Sequence, residues 1–225
     1  MATANEVQAV VFDLDGVLVD SEPLWEEIRR GVVADAGRAW PTDATRALQG
    51  MSTPEWSAYL IDVIGVPGRP EDVAAMVIDA MVARYRKNLP LLPGAIEAVE
   101  RLANHWPLGL ASSSPRQLIA TVLDSADLAG RFQVTVSTEE VTAGKPSPAV
   151  YNDVVRRLAA DASRVVAIED SSNGLRSASA AGVRVIAIPN PTYPPQPDAL
   201  ALASTVVASL DDLTQALVAS LVPQA

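Results

Sequence analysis

Two carboxylates spaced two residues apart, Asp13 and Asp15 in VFDLDGVLVD, are the first groups in the chain whose type and spacing could do chemistry. Three further sets follow: the hydroxyls of Ser112, Ser113 and Ser114, the ammonium of Lys145 in AGKPSP, and the adjacent acids Glu169 and Asp170. Each has an ordinary structural explanation. Asp15-Gly16 is a turn signal. Serines and acids ahead of a helix serve as N-caps or complement its dipole, and a lone lysine belongs on the surface. Capping does not explain why carboxylates, hydroxyls and an ammonium should occur in the combination that phosphoryl transfer requires.

The elements that must position these groups can be read from the apolar runs. Val10-Val11-Phe12 is a short continuous run of the kind that forms a buried parallel strand, and it ends at Asp13. Comparable runs occur at Leu108 to Ala111, Val165 to Ile168 and Val183 to Ile188, with shorter candidates at Phe132 to Val136 and Thr205 to Ala208. Between them lie helical patterns over Pro93 to Asn104, Ser114 to Ser125, Ser147 to Ala160, Ser172 to Ala181 and Leu210 to Leu217. This alternation predicts an α/β fold, a three-layer Rossmann-like sandwich around a parallel sheet. In such sheets ligands bind beyond the carboxyl ends of the strands, where Asp13, Asp15, the three serines, Glu169 and Asp170 fall. Pro189 to Pro197 holds five prolines and reads as a loop.

Residues from about Ser21 to Pro90 contain helical patterns and no strand. Ser21 is placed to cap a helix reaching Gly37, and Thr42 a shorter one ending near Gly50. Thr53-Pro54-Glu55 opens a third helix that Gly65 stops, and Pro70-Glu71-Asp72 opens a fourth running through Tyr85. The expected organisation is therefore a core of residues 1–20 and 91–225, with a small inserted helical cap domain over 21–90.

Composition bounds the function. In 225 residues, 49% hydrophobic content supplies a packed core, while no apolar run approaches a membrane span. The net charge of -10 argues against nucleic acid or an anionic membrane as a partner. Zero cysteines exclude disulfides and thiolate chemistry and suit a cytoplasmic protein. A monomer is the default expectation.

The segments FDLDGVLVDSEP, LASSSP, GKPSP and IEDSSNGLRSASAAG, in that order, resemble the four motifs of the haloacid dehalogenase superfamily. The helical insert between the first two resembles the cap of the subgroup containing β-phosphoglucomutase and small sugar phosphatases. The resemblance implies that Asp13 attacks phosphorus to form an aspartyl phosphate and that Asp15 is the general acid and base. It implies a Mg²⁺ site from Asp13, Asp170 and the backbone carbonyl of Asp15, with Glu169 in or behind that shell. Lys145 would neutralise Asp13 and phosphate oxygens, and Ser112 with nearby amides would hydrogen-bond the transferring group. Gly16, Ser113, Ser114 and Asn173 are further phosphate-side candidates, Asn173 being equally a capping residue.

In the insert, Glu22, Gln49, Gly50, Ser52 and Thr53 are candidates to contact a small phosphorylated metabolite, although Glu22, Ser52 and Thr53 are also helix-start residues. Trp25, Trp56 and Met76 have spacings expected of a bundle core. The resemblance favours a phosphatase over a sugar phosphomutase. In the mutases a histidine follows the first motif near the position of Trp25, whereas the one histidine here, His105, is expected in a loop before the strand at the far end of the sheet. Hydrolytic dehalogenases lack a counterpart of Asp15 and need no metal, and a non-catalytic phosphometabolite-binding protein would not need the full set of reactive groups.

Overall fold

The computed structural model of the protein describes residues 6–48 and 51–222. The chain enters the core with strand β1 (Ala9–Phe12) and then forms helices α1 (Glu22–Asp35), α2 (Ala44–Leu48), α3 (Thr53–Asp62) and α4 (Pro70–Lys87). It returns through α5 (Ala95–Ala103), β2 (Leu108–Ser112), α6 (Arg116–Ser125), β3 (Phe132–Ser137) and α7 (Ala149–Arg157). The last third comprises β4 (Val165–Glu169), α8 (Ser172–Ala180), β5 (Arg184–Ala187), α9 (Pro197–Leu200), β6 (Thr205–Val206) and α10 (Gln215–Ser220).

The six strands form one parallel sheet in the order β3-β2-β1-β4-β5-β6. Successive strands are added on one side of β1 and then on the other, so the strand order reverses at β1, where an open α/β sheet forms its ligand crevice. Side chains alternate between the two faces, as the two-residue strand period requires. Val10, Phe12, Leu108, Leu110, Val166 and Ile168 pack with α5, α6 and α10 on one face. Ala9, Val11, Ala111, Val165 and Ala167 pack with α7 and α8 on the other. Being buried on both faces is why these strands read as unbroken apolar runs.

The insert buries Trp56, Leu60, Val77 and Met81 in a core continuous with the first of these faces. Within it α4 packs against α1, α3 and the core helix α6. Its two connections to the sheet run side by side: the Asp20 N–H donates to the Pro90 carbonyl at 2.9 Å, and the Leu92 N–H to the Leu18 carbonyl at 2.9 Å. No described helix is long and apolar enough to cross a membrane.

Several local expectations need correction. Ser21 makes no side-chain cap to α1; it has helical backbone angles, and its carbonyl accepts from the Leu24 and Trp25 N–H groups instead. The helix expected over Leu210 to Leu217 is a 3₁₀ turn, Leu210–Asp212, followed by α10, because Thr214 caps a new start by accepting from the Leu217 N–H. Pro197 is the first residue of α9 and not the end of the loop, a position suited to a residue without an N–H. Met76 is 56% exposed on α4 and takes no part in the bundle core.

Gly109 sets how closely α7 approaches β2, since a Cβ there would lie 2.5 Å from Val154 Cγ1 and 3.0 Å from Leu158 Cδ1. Gly109→Ala should therefore overpack this layer and cost about 1–3 kcal/mol, lowering the melting temperature by roughly 2–12 °C. Differential scanning calorimetry checks this, and an unchanged transition would contradict it.

Candidate active site

Asp13 is the first residue beyond β1, and its N–H donates to the Ile168 carbonyl at 3.0 Å, which fixes it beside the end of β4. Lys145 arrives from the loop ahead of α7 with its side chain only 4% exposed. Its ammonium stands 2.9 Å from Asp13 Oδ1 and 2.6 Å from Glu169 Oε1, so one cation bridges the ends of β1 and β4. Desolvation lowers the Lys145 pKa, but the combined pull of Asp13 and Glu169 outweighs it and holds the group above the ordinary lysine value.

Glu169 is fully buried and fully used. Its Oε1 accepts from Lys145 and from the Tyr151 hydroxyl at 2.9 Å. Its Oε2 accepts from the N–H groups of Asp170 and Ser171 and from the Ser171 hydroxyl. Gly174 makes room for it, since a Cβ at that position would lie 1.9 Å from the Glu169 carboxylate. Gly16 does the same for Asp170: a Cβ there would fall 2.0 Å from Asp170 Oδ2, and the positive φ of 78° is one that glycine adopts without strain.

Ser112 is fully buried and does not line the cavity; its oxygen accepts from the Ser114 N–H at 2.9 Å and its hydroxyl reaches Asp15 Oδ2 at 3.4 Å. Ser114 donates to the same Asp15 oxygen at 2.7 Å. The two therefore hold Asp15 by one oxygen, while Asp15 Oδ1 is buried with no hydrogen-bond partner among the described residues. Ser113 is exposed at the cavity wall.

Asp13, Glu169 and Asp170 each bring a carboxylate oxygen within 4.8 Å of the others. Asp170 Oδ1 is buried and unpartnered among the described residues. Burial, then repulsion from Glu169, holds the Asp13 pKa up at about 8. The same causes, with Asp13 added, push Asp170 well above the carboxylate range. Three acids around one ammonium, with a free oxygen on Asp170, fit a hard divalent cation with oxygen ligands. The hydrogen bonds on Glu169 also tie it to Lys145 and the Asp170 backbone, and the Asp15 carboxylate is not part of the cluster.

These groups open onto a cavity of about 490 Å³ whose lining includes residues of the insert. Glu22 and Thr53 line it, as do Asn173 and Gly16. Ser52 does not: its N–H and hydroxyl donate to Glu55 at 2.7 and 2.6 Å, which caps α3. Asn173 is not the cap of α8, because Ser171 accepts from the Gly174 N–H. Gln49 and Gly50 lie outside the described residues. Trp25 and Trp56 are buried in the core and also line the cavity. Arg29, Arg46, Arg176, Asn190 and Tyr193 line it as well. Sequence reasoning passed over these five, and Gly174, whose one trace is an isolated glycine within the helical run SNGLRSA.

A strand-end carboxylate paired to a buried lysine, a second carboxylate held by one oxygen and an acidic cluster fit for a metal lie together beneath a helical insert, at the carboxyl ends of a Rossmann-like sheet. Residues 7–182 match the haloacid dehalogenase-like hydrolases, and the chain belongs to that family. It is 35% identical to hexitol phosphatase B of Escherichia coli O157:H7, over 95% of this chain and 97% of that protein. It is 33% identical to a phosphorylated carbohydrates phosphatase of Thermotoga maritima, over 80% of this chain and 84% of that one. The crystal structure of CbbY from Rhodobacter sphaeroides in complex with phosphate shares the fold, with a TM-score of 0.85 at 24% identity, covering 95% of this chain and 99% of that one.

The raised acids carry a stability consequence. With folded pKa values above the unfolded one, Asp13 and Asp170 are accommodated protonated at low pH. Their contribution is lost as pH rises from about 4 through about 8 for Asp13. In chelator at pH 7.5, Asp170→Asn should raise the melting temperature by about 2–4 °C. Saturating Mg²⁺ should stabilise the wild type by about 3 kcal/mol and the variant hardly at all. Equal stabilisation of both by Mg²⁺ in scanning fluorimetry would contradict the assignment.

Proposed function

We propose that the chain is a Mg²⁺-dependent phosphatase that hydrolyses a small, sugar- or polyol-like phosphomonoester through an aspartyl phosphate on Asp13. The observation that carries this reading is the pairing of Asp13, ion-paired to Lys145, with Asp15, whose Oδ2 is held by Ser114 and whose Oδ1 has no partner among the described residues. A nucleophile held by an ammonium and a carboxylate anchored by one edge are what a two-step displacement needs. The names of the hexitol phosphatase and carbohydrate phosphatase relatives support the substrate class.

The Asp13 carboxylate attacks phosphorus as the P–O bond to the leaving alcohol breaks, and Asp15 delivers its proton to the departing oxygen. Asp15 then takes a proton from water as that water attacks phosphorus, which releases phosphate and restores Asp13. Lys145 keeps one Asp13 oxygen oriented and offsets anion repulsion worth about 4 kcal/mol per charge pair at ~4 Å and an effective dielectric of ~20. Mg²⁺ held by Asp13 and Asp170 would add charge neutralisation at the transferring oxygens. Ser113 and Asn173, which line the cavity, are the proposed further contacts of the phosphate.

The insert, taken as a cap over residues 21–90, excludes water and selects the alcohol, with Glu22 and Thr53 among its contact residues. The paired backbone bonds at Asp20–Pro90 and Leu18–Leu92 support a division at those connections. A sugar phosphomutase is the alternative, and the cavity disfavours it. Trp25 lines the wall, whereas His105 lies in the turn before β2, bordering a separate small cavity with Trp106 and Arg131. The absence of cysteine supports a reducing, cytoplasmic setting, and we take the working unit to be one chain.

Phosphate release from a panel of sugar and polyol phosphates should require Mg²⁺ and vanish in chelator. Asp13→Asn should abolish it, and Asp15→Asn should lower kcat by about 10²–10⁴-fold. Undiminished turnover by Asp13→Asn would sink the mechanism. Isomerisation of β-glucose 1-phosphate exceeding phosphate release would promote the mutase, and metabolite binding without any turnover would indicate a binding protein.

A further inference from the structure

Arg29 is the one arginine among the described residues whose whole side chain is buried, at 7% exposure, yet it makes no ion pair there. Its guanidinium carbon stands 4.6 Å from the Trp25 ring and 4.9 Å from the Trp56 ring, so the cation rests against two indoles. Its Nε is buried with no hydrogen-bond partner. It lines the same cavity as Asp13, from the insert side.

Other arginines near the cavity or on the same helix behave differently. Arg176 lines the cavity but donates to Asp198 and Gln196, each at 2.7 Å. Arg30, the next residue along α1, is exposed and pairs with Glu26. The carboxylates whose charge acts most on Arg29 are Glu22 and Asp15, and neither comes within ion-pair distance. Desolvating a cation is costly unless a partner offsets it, and the indole faces return only part of that cost. A guanidinium presents a planar fork of donors that matches a carboxylate or phosphate edge by two parallel hydrogen bonds. A neutral hydroxyl would accept only one of them and leave the charge unmatched.

We propose that the leaving alcohol of the substrate carries a second anionic group, a carboxylate or a phosphate, remote from the reacting phosphate, and that Arg29 binds it. This rests on the phosphatase reading and narrows it: the substrate class is a sugar-acid phosphate or a bisphosphate, with Arg29 as a specificity-determining contact. Trp25 and Trp56 hold the guanidinium in place, and the exposed Arg46 adds positive charge to the same wall.

The test compares matched six-carbon substrates: glucitol 6-phosphate, with a neutral far end, gluconate 6-phosphate, with a carboxylate, and fructose 1,6-bisphosphate, with a second phosphate. The wild type should favour at least one anionic substrate over glucitol 6-phosphate in kcat/KM by about 10–100-fold, the range of a charge-assisted hydrogen-bonded contact. Whichever anionic substrate leads identifies the group. Arg29→Gln should erase that preference mainly through KM, lowering kcat/KM for the favoured anionic substrate about 10–100-fold more than for glucitol 6-phosphate, and Arg29→Lys should restore part of it. Loss of the same factor from all three substrates would show that Arg29 only packs, and a wild-type preference for glucitol 6-phosphate would overturn the inference outright. If Arg29→Gln fails to fold, the wild-type ratios and Arg29→Lys decide. Turnover of p-nitrophenyl phosphate without charge discrimination would defeat this inference alone, whereas no release from any phosphomonoester would defeat the phosphatase reading itself.

Discussion

The buried ammonium of Lys145, between Asp13 and Glu169, is the interaction on which the site depends. Two carboxylates at adjacent strand ends would repel each other strongly in a desolvated crevice, and a cation shared between them makes the arrangement possible. Glu169 is in turn held by Tyr151, Ser171 and two backbone N–H groups, so the lysine is fixed from behind and its position defines where Asp13 points. Removing either partner would leave an uncompensated buried charge, which makes this set of residues a unit.

The rest of the fold follows from placing that unit. The sheet supplies two neighbouring strands, β1 and β4, whose ends deliver Asp13 and the Glu169-Asp170 pair. Closeness is limited by what can be omitted: Gly16 and Gly174 lack the atoms that would occupy the carboxylates of Asp170 and Glu169. Even so, positive charge is in deficit, which is why burial and repulsion hold Asp13 and Asp170 above the carboxylate range. The cluster is poised for a cation and an anionic substrate in the way that active sites store unfavourable electrostatics until ligands relieve them.

Much of this was legible in the residues. The inner strands, buried on both faces, give unbroken apolar runs, while the edge strands β3 and β6 are partly exposed and left shorter signals; the groups just after the inner strands marked the site. The helical insert was legible from its caps, prolines and glycines. Details set by three-dimensional competition for hydrogen bonds were not. The contacts of Ser112 with Ser114 and Asp15 show only in the fold. Ser52 looks like a pocket residue until Glu55 claims it. The five donors that converge on Glu169 come from four residues, and nothing in the order of the chain shows that they meet there. Arg29 lay in a stretch whose charge pattern reads as a solvated helix face, and only the folding of Trp56 over Trp25 buries it.

The central claim is that the Asp13 carboxylate becomes covalently phosphorylated during turnover. Acid quenching of the enzyme in its first turnover with Mg²⁺ and substrate, followed by peptide mass spectrometry, measures this directly. A phosphoryl adduct on Asp13 that forms before phosphate release, and decays as phosphate appears, is the predicted result. Stoichiometric phosphate release with Asp13 unmodified at every quench time, under conditions that preserve an acyl phosphate standard, would contradict it.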